Sequence, residues 1–184
     1  MDRPDSFRIE PINEPTGELA EILENALTHD GSPLNIFGVL GHHPKLLKRF
    51  NLMGGFILNK GLLPEREREI VILRVGWNAQ AKYEFGQHTV IGLEAGVTDE
   101  EIKAITRPIP MGDWSADDAA LLQMCDDLHI DDCVTQATWD ALSARWNEAE
   151  LIELLVTAGF YRLVSGFLNS TGVELDAGIP GFPA

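Results

Sequence analysis

The chain has 184 residues, 45% hydrophobic and 23% charged, and its 29 acidic against 14 basic side chains give a net charge of −15. That length and balance suit one folded domain able to bury a core without disulfide or metal staples. The acidity argues against docking on nucleic acid or anionic lipid, both of which need a basic footprint.

The chain order is punctuated by helix signals. Residues 1–15 hold three prolines and no sustained period, and predict an extended arm. The polar start Met1–Asp5 shows no apolar leader, so the expected location is the cytoplasm. Leu19, Ile22, Leu23, Ala26 and Leu27 recur at helical spacing up to a stop at His29-Asp30-Gly31. Asn35 caps a short helix through Leu40, and Pro44 opens another carrying Leu46, Leu47, Phe50, Leu52 and Met53. Gly54-Gly55 within that apolar run predicts a close helix approach. Pro64 opens Glu65–Asn78, a further helix runs from Lys82 to Ala95 and stops at Gly96, and Thr98-Asp99-Glu100-Glu101 is a capping box. Thr106–Trp114, with Pro108 and Pro110, has the composition of a linker. Ser115-x-x-Asp118 and Asn147-x-x-Glu150 start the remaining helices, the last reaching about Leu168, with Trp114, Trp139 and Trp146 as packing residues. The apolar runs Ile70–Val75 and Leu154–Phe160 fall short of the ~20 residues of a membrane span. The expectation is a single all-α domain, a multi-helix bundle around a core helical hairpin. It divides into an arm (1–15), a helical half (16–106), a linker (107–114), a second helical half (115–175) and a tail (176–184).

The chemistry concentrates in two adjacent helices. Glu84 and His88, four apart, lie one turn above each other on a face that also carries Ala81, Phe85, Ile91 and Ala95. An unpaired charge on such a face is costly, so carboxylate and imidazole are expected to pair. Glu69 stands on the preceding helix, about as far from the connecting turn as His88, so the two should sit level. Two carboxylates and an imidazole in a dry environment suit general acid–base work, although each also has a bland reading as an ion pair or a helix-dipole partner. Arg74, Tyr83 and Trp77 are candidates for holding a substrate. Arg74 serves equally as a partner for a glutamate within the bundle. Cys125 and Cys133, with seven residues between them, match neither a zinc pair nor a redox Cys-x-x-Cys, and are expected as reduced thiols. The pair His42-His43 before Pro44 lacks spaced carboxylates, and no metal site or cofactor is expected.

The runs Arg66–Val75, Tyr83–His88 and Ala95–Ile102, with Gly41–Leu47 upstream, resemble the carboxymuconolactone decarboxylase-like superfamily, which includes the alkylhydroperoxidase D type. The resemblance implies an all-α fold, assembly into a homo-oligomer (dimer, trimer or hexamer), and a small-molecule substrate bound near subunit contacts. In the peroxidase branch the motif is Glu…Cys-x-x-Cys-x-x-x-His. On this chain Glu69 and His88 take the outer positions, while Ala81 and Glu84 stand where that branch carries its cysteines. Neither a methyl group nor a carboxylate forms a thiolate, so thiol peroxidase chemistry is excluded at the motif. The decarboxylase branch also lacks the thiols, and implies a lyase acting on an unsaturated or lactone acid through Glu69, Glu84 and His88. The alternatives are a hydroperoxide-reducing oxidoreductase and a non-catalytic binding or assembly protein.

Overall fold

Proline and short polar side chains set the helix starts. The structure is a computed structural model, and it describes residues 3–24, 26, 28–29 and 32–183. Its described helices are α1 (Glu18–Leu23), α2 (Asn35–Leu40), α3 (Pro44–Asn59), α4 (Glu65–Asn78), α5 (Lys82–Glu94), α6 (Asp99–Ile105), α7 (Ala116–Asp131), α8 (Gln136–Ser143) and α9 (Glu148–Thr171). The architecture is an all-helical bundle, with one short antiparallel pair, β1 (Thr28–His29) against β2 (Ser32–Pro33). The expected stop at His29-Asp30-Gly31 falls where that pair forms, and α1 ends at Leu23. Leu27, Asp30 and Gly31 themselves lie outside the described residues.

The chain forms two compact units, residues 1–61 with 167–179, and residues 62–166 with 180–184. In the first, His43 caps α3 by accepting a hydrogen bond from the Leu46 amide, and the His42 imidazole lies 2.9 Å from the Glu10 carbonyl. Asn35 donates through its backbone N–H to the Asp176 carboxylate at 2.9 Å and through its side chain to the Glu174 carbonyl at 3.0 Å. The helix α3 runs unbroken through Gly54-Gly55. A side chain at Gly55 would meet open space among the described residues, so Gly55 makes no close helix approach there.

The second unit holds the core hairpin. Ile70, Leu73, Phe85, Val97, Ile102, Ile105 and Leu122 form one buried cluster from α4 to α7, with Trp77, Trp114, Ile109 and Phe182 packed against it. The segment expected as a linker contains a single 3-10 turn, Ile109–Met111, and contributes to this core. Half-buried polar contacts tie the helices together. Arg66 pairs with Glu101 and with Asp118, and the Glu153 carboxylate accepts the backbone N–H groups of Leu62 and Leu63 ahead of α4.

Capping explains the boundaries. Thr98 Oγ1 accepts the Glu101 N–H at 3.2 Å while the Glu101 carboxylate accepts the Thr98 N–H at 2.8 Å, satisfying two orphan donors reciprocally. Thr98→Ala is expected to cost about 1 kcal/mol, read as a lowered urea midpoint with an unchanged slope. Asn147 and Glu150 do the same for α9. That helix, 24 residues long with mean hydropathy 1.5 over its most apolar window, is long and apolar enough to cross a membrane by length and composition. Half of that window is buried within the fold, as in the central helix of a bundle.

Candidate active site

The turn between α4 and α5 places the polar groups. The Gln80 N–H bonds the Trp77 carbonyl and the Ala81 N–H bonds the Gly76 carbonyl, both at 2.8 Å, closing α4 with a reversal in which Gln80 takes the left-handed conformation at φ 52°. The two helices then run antiparallel at short range. A β-carbon at Gly92 would come within 3.3 Å of a Leu73 methyl and 3.6 Å of the Glu69 Cβ, so only a hydrogen fits without displacement. This approach puts Glu69 and His88 at one level.

His88 Nδ1 donates to Glu69 Oε2 at 2.6 Å, and Nε2 lies 3.1 Å from Glu84 Oε1, an i, i+4 ion pair. On the far side of Glu69, Arg68 Nε donates to Oε1 at 2.8 Å. Tyr161 of α9 sets its ring edgewise to the imidazole, with centroids 4.9 Å apart. Two cations and two carboxylates therefore alternate along one line, Arg68–Glu69–His88–Glu84. Glu69 is wholly buried, and Arg68, His88 and Glu84 are buried as well, at 6%, 5% and 4% exposure.

Electrostatics fix the protonation states. Burial works against charge on His88, but the Glu69 charge and hydrogen bond, aided by Glu84, outweigh it and push the imidazole up to about 10. Burial likewise disfavours a charged Glu69, yet the His88 charge, with hydrogen bonds from His88 and Arg68, holds it below the usual carboxylate range. At neutral pH the centre is an imidazolium clamped between two carboxylates. Tyr161 is raised well above its ordinary value by burial and by Glu84 and Glu69, and stays a neutral phenol.

The remaining candidates sit elsewhere. Arg74 forms a two-point pair with Asp126 of α7, at 2.7 and 2.6 Å, and also donates to the Ile105 and Arg107 carbonyls. Trp77 packs edgewise on Phe85 and Phe182. Tyr83 is buried in the first turn of α5. The structure thus brings together Glu69, Glu84 and His88 and separates Arg74 and Trp77 from them. Sequence reasoning missed Arg68 and Tyr161. The first was visible as a cation beside Glu69, and the second carried no local signal. Cys125 is buried, with its thiol pushed up by burial and by Asp126, and points at the Val71 carbonyl, while Cys133 is exposed. Among the described residues no group of three His, Cys, Asp or Glu side chains is arranged to hold a metal ion. Both imidazole nitrogens of His88 already face carboxylates.

Residues 44–124, from the start of α3 into α7, match the model of the carboxymuconolactone decarboxylase family. No curated protein matches the sequence. The fold is similar to an uncharacterised peroxidase-related protein from Silicibacter sp. TM1040, with TM-score 0.80 and 13% identity over 97% of this chain and 96% of that one. It is also similar to an alkylhydroperoxidase AhpD core protein, peroxidase-related, from Ralstonia eutropha JMP134, with TM-score 0.73 and 19% identity over 91% and 94%. A variant of the debrominase Bmp8 in complex with 2,3,4-tribromopyrrole gives TM-score 0.73 and 14% identity over 96% and 95%. At these identities the likeness is one of fold, the alkylhydroperoxidase D-like bundle.

Proposed function

We propose that this chain, a member of the carboxymuconolactone decarboxylase-like superfamily without the Cys-x-x-Cys pair, is a cofactor-free enzyme that moves protons on a small unsaturated or lactone acid, as a decarboxylase or a related lyase. The observation that carries this reading is the imidazole of His88 flanked on both nitrogens by carboxylates, at 2.6 and 3.1 Å, in a site whose motif holds no thiol. Glu69, locked by Arg68, orients the ring through Nδ1, as a buried carboxylate does for a catalytic histidine. The looser contact at Nε2 is the one assigned to proton exchange.

In the proposed reaction the bond to the carboxylate carbon breaks and carbon dioxide leaves with that carbon. The electron pair left behind delocalises over the enoate, and the ring carbon takes a proton from the His88–Glu84 couple. Solvent then restores that proton through Glu84. Arg74 is assigned to architecture in this scheme, because Asp126 and two carbonyls already occupy its guanidinium. Hydroperoxide reduction draws no support from Cys125, which is buried and held as the thiol.

The test is turnover of an unsaturated lactone acid by the purified protein, followed as carbon dioxide release and loss of ultraviolet absorbance. His88→Gln and Glu84→Gln are each expected to lower kcat by about 10²–10⁴-fold, the usual contribution of a positioned acid–base group. Folded variants with wild-type turnover would remove the assignment. Peroxide consumption with a thiol donor, in place of lyase turnover, would replace it with the oxidoreductase reading.

A further inference from the structure

A cavity of about 210 Å³ lies among the last turns of α4, the C-terminal end of α7 and the middle of α9. Val75, Leu128, Leu155 and Ala158 supply apolar walls, and Arg162 and His129 supply polar groups. None of Glu69, Glu84 and His88 lines it, so it stands apart from the site described above.

Arg162 is the informative side chain. Its Nη1 alone is engaged, by the Leu128 carbonyl at 3.4 Å and by the His129 carbonyl and Nδ1 at 3.3 Å. Those contacts cap the end of α7, where a cation answers the helix dipole. They leave the opposite edge of the guanidinium, Nε with Nη2, without a partner among the described residues. Asp132 also lines the cavity but makes no ion pair with Arg162.

We propose that this cavity binds a small monocarboxylate with an apolar body. The carboxylate takes the free Nε–Nη2 edge of Arg162 in the two-point geometry a guanidinium fork favours, and the body fills the space between Val75 and Ala158. The size is sufficient, since an apolar cavity of about 150 Å³ accepts benzene. Charge and shape are read by separate groups here, so they can be separated by experiment.

The full chain is titrated with benzoate and with its neutral isostere benzamide, by calorimetry and by amide chemical-shift perturbation. Benzoate is expected to bind and to shift the Val75 and Ala158 signals, with benzamide weaker by about tenfold or more. Arg162 is exposed, so Arg162→Gln should fold normally and weaken benzoate by about tenfold or more. His88→Gln should leave benzoate binding unchanged, which separates this site from the proposed catalytic one. Absence of benzoate binding overturns the proposal, as do equal affinities for benzoate and benzamide or an Arg162→Gln variant that binds like wild type. A benzoate affinity abolished by His88→Gln would also overturn it, by placing the ligand at the other centre.

Discussion

Glu69→Ala is expected to destabilise the fold by about 3–5 kcal/mol, the usual result of removing one partner from a buried charge pair. The carboxylate is wholly buried and accepts from Arg68 on one oxygen and from His88 on the other. Its loss takes an acceptor from two cations at once, in a place where water cannot substitute. His88 should then release its proton more readily, since the neighbour chiefly responsible for raising it is gone. Glu69→Gln keeps the shape and one acceptor oxygen, and should cost less. Urea unfolding at fixed temperature gives both values. A Glu69→Ala protein within about 1 kcal/mol of wild type would mean that the buried line of charges contributes little to stability.

The second large effect is on pH dependence, and its sign follows from the shifts. His88 is raised from 6.5 to about 10 on folding, so its contribution is complete below pH 6.5 and fades as pH climbs toward 10. Glu69 is depressed below 4.5, so its contribution is complete above that value and is lost as pH falls through the folded one. Stability should therefore be greatest between about pH 4.5 and 6.5 and decline on the alkaline side by up to about 1.4 kcal/mol per pH unit from this one group. Unfolding free energies of wild type and His88→Gln, taken from pH 5.5 to pH 9, isolate the histidine from other titrating groups. The alkaline decline should be steeper in wild type. Parallel curves would show that the imidazole is not held in its charged form.

Local signals were enough for the core hairpin and not for its surroundings. Pro64 and Gly96 bracket α4 and α5 because each residue has a conformational reason to sit where it does, and the capping boxes at Thr98 and Asn147 are equally local. The level placement of Glu69 and His88 follows from counting turns on either side of Gln80. What escaped was long-range or short-lived along the chain. The helix α8, eight residues with a Thr135 cap, offers too brief a period to register, and Asp127 anchors it from α7. Tyr161 lies in an apolar helix whose sequence carries no mark of the polar neighbour it meets. Arg74 shows how one residue serves two readings until its partner is located, since Asp126 lies on a helix that sequence spacing does not align with α4. The cavity beside Arg162 is likewise a property of two helix ends and the middle of a third helix in space.

Glu84 closes the line of charges at the second imidazole nitrogen. A cysteine placed there would orphan Nε2 of His88, and a cysteine at Ala81 alone would be a single thiol with no resolving mate. A single substitution toward a dithiol site therefore loses an ion pair before any redox couple exists.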